Sequence, residues 1–170
     1  KTSYNGATSI FNVKPTGKLT VKGNGDVHAV AKKTMSYVSA IFNNEGGEVV
    51  IEGGDYSMEH GTYGDGYLIP CILDNNSTLG NATLTINGGN FTFGRNAFRN
   101  FANSNAYKAS ITVNGGTFTG AWTTQPSYFW NQKPNANINN GQGLITLNGG
   151  TFTNFAIQNG FYKADFTEFY

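Results

Sequence analysis

Residues 111–119 (ITVNGGTFT) carry the pattern that decides the fold of this 170-residue chain. Apolar residues alternate with threonine, an Asn-Gly-Gly triplet follows, and an aromatic residue then stands between two threonines. The same pattern returns in residues 49–57 (VVIEGGDYS), 84–92 (LTINGGNFT) and 145–153 (ITLNGGTFT), and more loosely in 19–27 (LTVKGNGDV). Equivalent apolar positions are 27 to 35 residues apart, so the chain is built from repeated units joined by loops of unequal length.

Each copy of the pattern predicts two short strands on either side of a corner. Alternation with a period of two is typical of a strand with one buried face, and Gly reaches a positive φ without steric cost. An Asn-Gly pair also suggests a β-hairpin, but a hairpin would leave a very short second arm and no reason for a long repeat. Parallel pairing of equivalent strands explains the repeat, because identical side chains then stack along one axis.

A second repeated element, an apolar strand that ends in Asn, precedes each copy. It occurs at residues 9–12, 40–44, 71–75 and 98–103, with weaker echoes at 128–131 and 155–159. Each coil therefore has three strands. The sequence predicts an all-β, right-handed parallel β-helix (a β-solenoid) of about five coils.

Two ladders follow from this prediction. The aromatic residues after the corner should stack inside the solenoid, and the asparagines at the corner should hydrogen-bond along its axis. The predicted ring stack is Tyr56, Phe91, Phe118 and Phe152. The predicted asparagine ladder is Asn87, Asn114 and Asn148.

The composition favours a single extracellular domain over residues 1–170, with its repeat core at about 9–160. Only 12% of the residues are charged and the net charge is +1, so we expect no nucleic-acid partner. No apolar run is long enough to span a membrane, and Cys71 is expected to be a buried free thiol. Because the chain begins at Lys1 with neither an initiator Met nor a signal peptide, we expect a processed product, an excised fragment or the ordered part of a longer protein.

The repeats resemble those of pectin-lyase-like right-handed β-helices in bacteriophage tail spikes, head and tail fibres and bacterial surface adhesins. The resemblance rests on the apolar-Asn-Gly-Gly-Thr-Phe motif and covers roughly residues 9–160. It implies a fold, and not an activity, because this scaffold carries lyases, hydrolases, esterases and inert shafts alike. It also implies a homotrimer, in which the aromatic segment 161–170 either covers the last coil or packs between chains.

Catalysis has weak candidates in one loop, where Asp55, Glu59, His60 and Asp65 lie close together in sequence. Two carboxylates about 5–10 Å apart can act as acid and base or nucleophile. Asp55, however, fills the outward slot that polar residues occupy in the other coils, so it need only be a polar strand residue. The acidic spacing matches no calcium-binding pattern, and we expect no metal and no cofactor.

Aromatic residues in the long insertions are the predicted ligand-binding residues. They are Tyr63, Tyr67, Trp122, Tyr128 and Trp130. Rings beside Asn and Gln suit stacking on a sugar or packing against a protein. The alternative is that Phe129 and Trp130 belong to a core strand.

Threonines on the outward side of the repeat allow a third function, ice binding, but only two complete Thr-x-Thr rungs occur, at residues 117–119 and 151–153. We therefore expect a structural or adhesive module on a virion or cell surface, with a host-surface polysaccharide or a neighbouring virion protein as its partner. The alternatives are a polysaccharide-degrading enzyme, such as a capsule depolymerase, and a bacterial surface adhesin.

Overall fold

The computed structural model describes residues 8–31, 39–60, 70–94, 96–121, 127–132, 137–138 and 142–159. These residues form sixteen strands. In chain order they are β1 (Thr8–Val13), β2 (Lys18–Val21), β3 (Asp26–Ala31), β4 (Ser39–Asn44), β5 (Glu48–Ile51), β6 (Asp55–His60), β7 (Pro70–Asn76), β8 (Ala82–Ile86), β9 (Asn90–Phe93), β10 (Asn96–Phe101), β11 (Ala109–Val113), β12 (Thr117–Gly120), β13 (Ser127–Gln132), β14 (Gly143–Leu147), β15 (Thr151–Thr153) and β16 (Phe155–Asn159).

The strands form three parallel sheets, and consecutive strands belong to different sheets. The first sheet has the order β1-β4-β7-β10-β13-β16, the second β2-β5-β8-β11-β14, and the third β3-β6-β9-β12-β15. Each strand pairs in parallel with its equivalent in the next coil. The predicted parallel β-solenoid with three strands per coil is therefore confirmed.

Side chains of the same kind stack along the interior because the register places equivalent residues above one another. Phe91 lies face to face with Tyr56 on one side and Phe118 on the other, with ring centroids 5.1 and 4.9 Å apart. Phe152 continues the stack beyond Phe118 at 4.8 Å. The predicted ring stack is confirmed.

The corner between the second and third sheets is also as predicted. Gly89 and Gly116 have φ values of 113° and 109°, and a Cβ on Gly89 would lie 2.9 Å from the carbonyl oxygen of Gly54 in the coil below. Outside this corner, Asn114 Nδ2 donates to Asn87 Oδ1 and Asn148 Nδ2 donates to Asn114 Oδ1, both at 2.8 Å. The predicted asparagine ladder is confirmed.

A second asparagine ladder, which the sequence did not reveal, lies inside the solenoid at the end of the first-sheet strands. Asn44, Asn75, Asn100 and Asn131 are fully buried. Each of the first three donates to the side-chain oxygen of the next at 2.8–2.9 Å. They also donate to backbone carbonyls at the start of the second-sheet strands, such as Ala82 O from Asn75 at 3.0 Å. This inner ladder satisfies polar groups at the corner between the first and second sheets.

No helix in the described part of the chain is long and apolar enough to cross a membrane.

Candidate functional site

A concave groove lies on the corner between the first and second sheets, with a volume of about 450 Å³. We call it the corner groove. Its lining comes from four successive coils: Pro15, Thr16, Gly17 and Lys18 from the first, Gly46, Gly47 and Glu48 from the second, Leu79, Gly80, Asn81 and Thr83 from the third, and Tyr107 from the fourth. The groove therefore runs parallel to the solenoid axis.

Glycines keep the floor of the corner groove low, because the coils touch backbone to backbone there. A Cβ on Gly47 would lie 2.5 Å from the carbonyl oxygen of Gly17, and a Cβ on Gly46 would lie 2.6 Å from the amide nitrogen of Gly80. Asn44 of the inner ladder fixes this turn, accepting from Gly47 N at 2.8 Å and donating to Gly47 O at 2.9 Å. The floor is thus a rigid backbone surface with few side chains.

Two apolar side chains stand at the far end of the corner groove and are open to solvent. Leu79 is 54% exposed and Tyr107 is 39% exposed. Concave surfaces that carry apolar side chains and a few polar groups are where ligands bind by default, and a tyrosine ring offers both an apolar face and a polar hydroxyl. We therefore place the candidate ligand-binding site here.

Charges in the corner groove cancel. Lys18 Nζ lies 2.6 Å from Glu48 Oε2, and the hydrogen bond and charge of Glu48 raise the pKa of Lys18. Nearby, Lys14 and Glu45 form a second ion pair between the same two coils. A charged ligand would have to compete with these internal partners.

A row of hydroxyl groups continues from the corner groove along the outer face of the second sheet. Lys18, Glu48, Thr83, Ser110 and Leu144 form one column of register partners, and Thr20, Val50, Thr85, Thr112 and Thr146 form the next. From the third coil onward these columns carry no charge. We call the outward residues of β8, β11 and β14 the hydroxyl face.

Asp55, one of the weak catalytic candidates, lies on the outer face of the third sheet, at the opposite end of the second-sheet strands from the corner groove. It pairs in register with Asp26 on one side and with Asn90 on the other, and Asn90 Nδ2 donates to Asp55 Oδ1 at 2.6 Å. Two residues further along, His28 Nδ1 and Ser57 Oγ are 2.7 Å apart. The sequence drew attention to Asp55 but not to Asp26, His28 or Ser57.

The other catalytic candidates are Glu59, His60 and Asp65. Glu59 and His60 lie on β6, where their backbones pair with Val30 and Ala31, and Asp65 lies outside the described residues. Within the described ranges, no group of three or more His, Cys, Asp or Glu side chains is placed to hold a metal ion.

Of the predicted aromatic ligand-binding residues, Tyr63, Tyr67 and Trp122 lie outside the described residues. Tyr128 and Trp130 lie two residues apart on β13. Tyr128 is half-buried, and Trp130 is buried with 7% of its surface exposed. Phe129 between them packs in the core. Phe129 is therefore a core residue, as the alternative had it, whereas Trp130 is buried on the opposite side of β13, beside its register partner Arg99.

A buried ion pair beside Trp130 was also not anticipated. Arg99 donates from Nε and Nη2 to the two oxygens of Asp74, both at 2.7 Å, and its guanidinium lies 4.4 Å from the centre of the Phe101 ring. The free thiol of Cys71 is buried nearby, as predicted, and burial raises its pKa well above the ordinary value. These contacts join β7 and β10 within the first sheet.

The fold defines the protein as a parallel β-solenoid. Comparison of the chain with protein-family models, curated proteins and solved structures finds no match. Any functional assignment therefore rests on the geometry of the two surfaces just described.

Proposed function

We propose that the protein is a structural and adhesive module that binds a glycan in the corner groove. The observation that carries this proposal is the exposed Tyr107 ring beside exposed Leu79, at the end of a rigid groove of about 450 Å³. Its volume lies within the range of ligand pockets, about 300–1,000 Å³. The stacked coils supply a stiff scaffold, and the turns between the strands supply the contacts.

The setting of this module is an extracellular one, on a virion or a cell surface, in a homotrimer. Support comes from the low charge content of 12% and from the resemblance of the repeat to phage spikes, fibres and adhesins. The partner in that setting is a host-surface polysaccharide, with a neighbouring virion protein as the alternative.

A pair of tyrosine variants tests the proposed site against the one predicted from sequence. The wild-type chain and the variants Tyr107→Ala and Tyr128→Ala would be applied to an array of bacterial capsular and cell-wall polysaccharides. We expect Tyr107→Ala to weaken binding at least about tenfold, roughly 1.4 kcal/mol, with only a small fall in melting temperature, because the ring is 39% exposed. Tyr128→Ala should leave binding unchanged. Loss of binding in Tyr128→Ala alone would transfer the site to the aromatic insertions.

A polysaccharide-degrading enzyme is the second candidate function, and the outer face of the third sheet favours it. Asp26 and Asp55 are register partners on adjacent strands, which lie about 4.8 Å apart in a sheet. Retaining glycosidases hold their two carboxyl groups about 5–5.5 Å apart. His28 is two residues from Asp26 on the same strand and in contact with Ser57.

Release of new reducing ends from the same polysaccharides would reveal such an activity. We expect Asp26→Asn and Asp55→Asn each to abolish it if it exists, because an amide neither donates a proton as an acid nor forms the glycosyl ester. If both variants still cleave the polysaccharide, the outer face of the third sheet is not the active site.

A further inference from the structure

The corner groove and the hydroxyl face form one continuous track along the solenoid axis. The column that begins with Lys18 and Glu48 in the groove passes through Thr83 and continues with Ser110 and Leu144. Adjacent strands are about 4.8 Å apart, so the groove part of the column extends over about 10 Å and the whole column over about 19 Å. A ligand held in the groove and extended along the axis would therefore reach the hydroxyl face.

The charges along this track are internally paired. In the groove, Lys18 and Glu48 are 2.6 Å apart. Beyond Glu48, both outward columns of β8, β11 and β14 consist of Thr, Ser and Leu residues. Of the residues that line the groove, Lys18 is the one cation that a polyanion would meet, and it is already paired with Glu48. A neutral chain of hydroxyl groups would instead find the Thr and Ser hydroxyls of β8, β11 and β14 as hydrogen-bonding partners.

From these observations we infer that the ligand of the corner groove is a neutral, extended polysaccharide that lies parallel to the solenoid axis and continues over Ser110 and Thr112. This inference rests on the proposed function, since it names the ligand class and the path for the same site. Tyr107 anchors one part of the chain by stacking, and the hydroxyl face binds the part beyond it.

The length of the oligosaccharide tests whether the ligand lies along the solenoid axis. Xylo-, manno- and cello-oligosaccharides would be titrated as tri- and hexasaccharides by calorimetry, and the hexasaccharide that binds should bind at least about tenfold more tightly than its trisaccharide. Ser110→Arg, which places a long side chain on the track, should lower the affinity for the hexasaccharide to that of the trisaccharide without changing the latter. Thr119→Arg is the matched control, because Thr119 is a half-buried outward hydroxyl residue of the same coil on the third sheet.

The charge of the oligosaccharide tests whether the ligand is a neutral polysaccharide. Hexagalacturonate should bind at least about tenfold more weakly than the neutral hexasaccharide. Glu48→Gln frees Lys18 and should raise the affinity for hexagalacturonate at least about threefold, and this gain should vanish near 1 M salt, where the screening length is about 3 Å. Glu45→Gln is the control, because Glu45 pairs with Lys14 outside the groove.

The outcomes separate the inference from the proposed function. If Tyr107→Ala abolishes binding but Ser110→Arg leaves the hexasaccharide affinity unchanged, the axial path is wrong and the groove remains the site. If hexagalacturonate binds as tightly as any neutral chain, or if no neutral chain binds, the ligand class is wrong. If the neutral chains bind and Tyr107→Ala changes nothing, the proposed function fails as well.

Discussion

Removing one side chain from the inner asparagine ladder should destabilise the protein far more than removing one from the outer ladder, which consists of Asn87, Asn114 and Asn148. Asn100 is fully buried. Its Nδ2 group donates to Ala109 O at 3.0 Å, Asn131 Oδ1 at 2.9 Å and Leu144 O at 3.2 Å. Its Oδ1 accepts from Asn75 at 2.9 Å.

Asn100→Ala leaves these partners without their hydrogen bonds in a site closed to water. Each buried polar group left unsatisfied costs about 1–3 kcal/mol. Because Nδ2 carries two hydrogens, at least two acceptors lose a full partner, and we expect a total loss of about 3–5 kcal/mol. A loss of this size is a large part of the stability of a single domain.

Asn114→Ala is the matched control in the outer ladder. Asn114 also makes two ladder hydrogen bonds, to Asn87 and from Asn148, each at 2.8 Å. Since its side chain is exposed, water replaces both bonds, and we expect a loss below about 1 kcal/mol. Urea unfolding followed by circular dichroism measures both values, provided that the slope with denaturant is unchanged. Equal losses in the two variants would refute the argument from burial.

Three further changes test the packing. Phe118→Ala should lower the free energy of unfolding by about 3–5 kcal/mol, because it opens a cavity in the middle of the ring stack. Phe152→Ala should lower it clearly less, since that ring is 36% exposed, and thermal unfolding of both variants measures the two losses. Arg99→Met should cost about 3–5 kcal/mol by leaving the buried Asp74 carboxylate unpaired, and adding Asp74→Leu should recover much of this in a double-mutant cycle. Burial raises the pKa of the Cys71 thiol, so the unfolded chain loses the thiol proton at a lower pH than the folded chain does. The free energy of unfolding should therefore fall above about pH 8.5. Urea unfolding at several pH values should show that Cys71→Ala removes this pH dependence.

The sequence predicted the corner between the second and third sheets well because the motif there hardly varies. Asn87-Gly88-Gly89 and its equivalents occupy consecutive positions, so one local pattern specifies the turn, the outer ladder and the ring after it. Phe91 and Phe118 then stack because the register is constant. The local turn sequence and the pairing of strands between coils therefore favour the same structure at this corner.

The inner ladder was less apparent because a variable loop follows each of its asparagines. Alternation along β10 would have revealed it, since Phe98 points inward and Asn100 lies two residues further on the same face. A buried Asn is unusual enough that composition alone favours an exposed position. Only the stacking of several such residues, each bonding the next, makes burial favourable.

The corner groove could not have been predicted residue by residue. Its lining extends from Pro15 to Tyr107, and most of these residues belong to turns outside the repeated motif. Tyr107 stood apart from the long insertions on which the sequence argument concentrated. The alternation of inward and outward residues also could not predict that Trp130 is buried, because it places this residue on the outward side of β13, next to Arg99.

The glycines that shape the corner groove are present for the fold, and the binding surface follows from them. Coils approach so closely at this corner that a Cβ on Gly47 would be 2.5 Å from Gly17 O, so only turns with glycine at the point of contact can stack there. Such turns leave a depression, and the exposed apolar side chains of Leu79 and Tyr107 form walls at its far end. A substitution that fills the floor, such as Gly47→Ala, would therefore disturb coil stacking before it altered recognition. Substitutions at Tyr107, which is 39% exposed, disturb the stacking of the coils less than this, so the walls are the part of the site that can vary to determine the ligand.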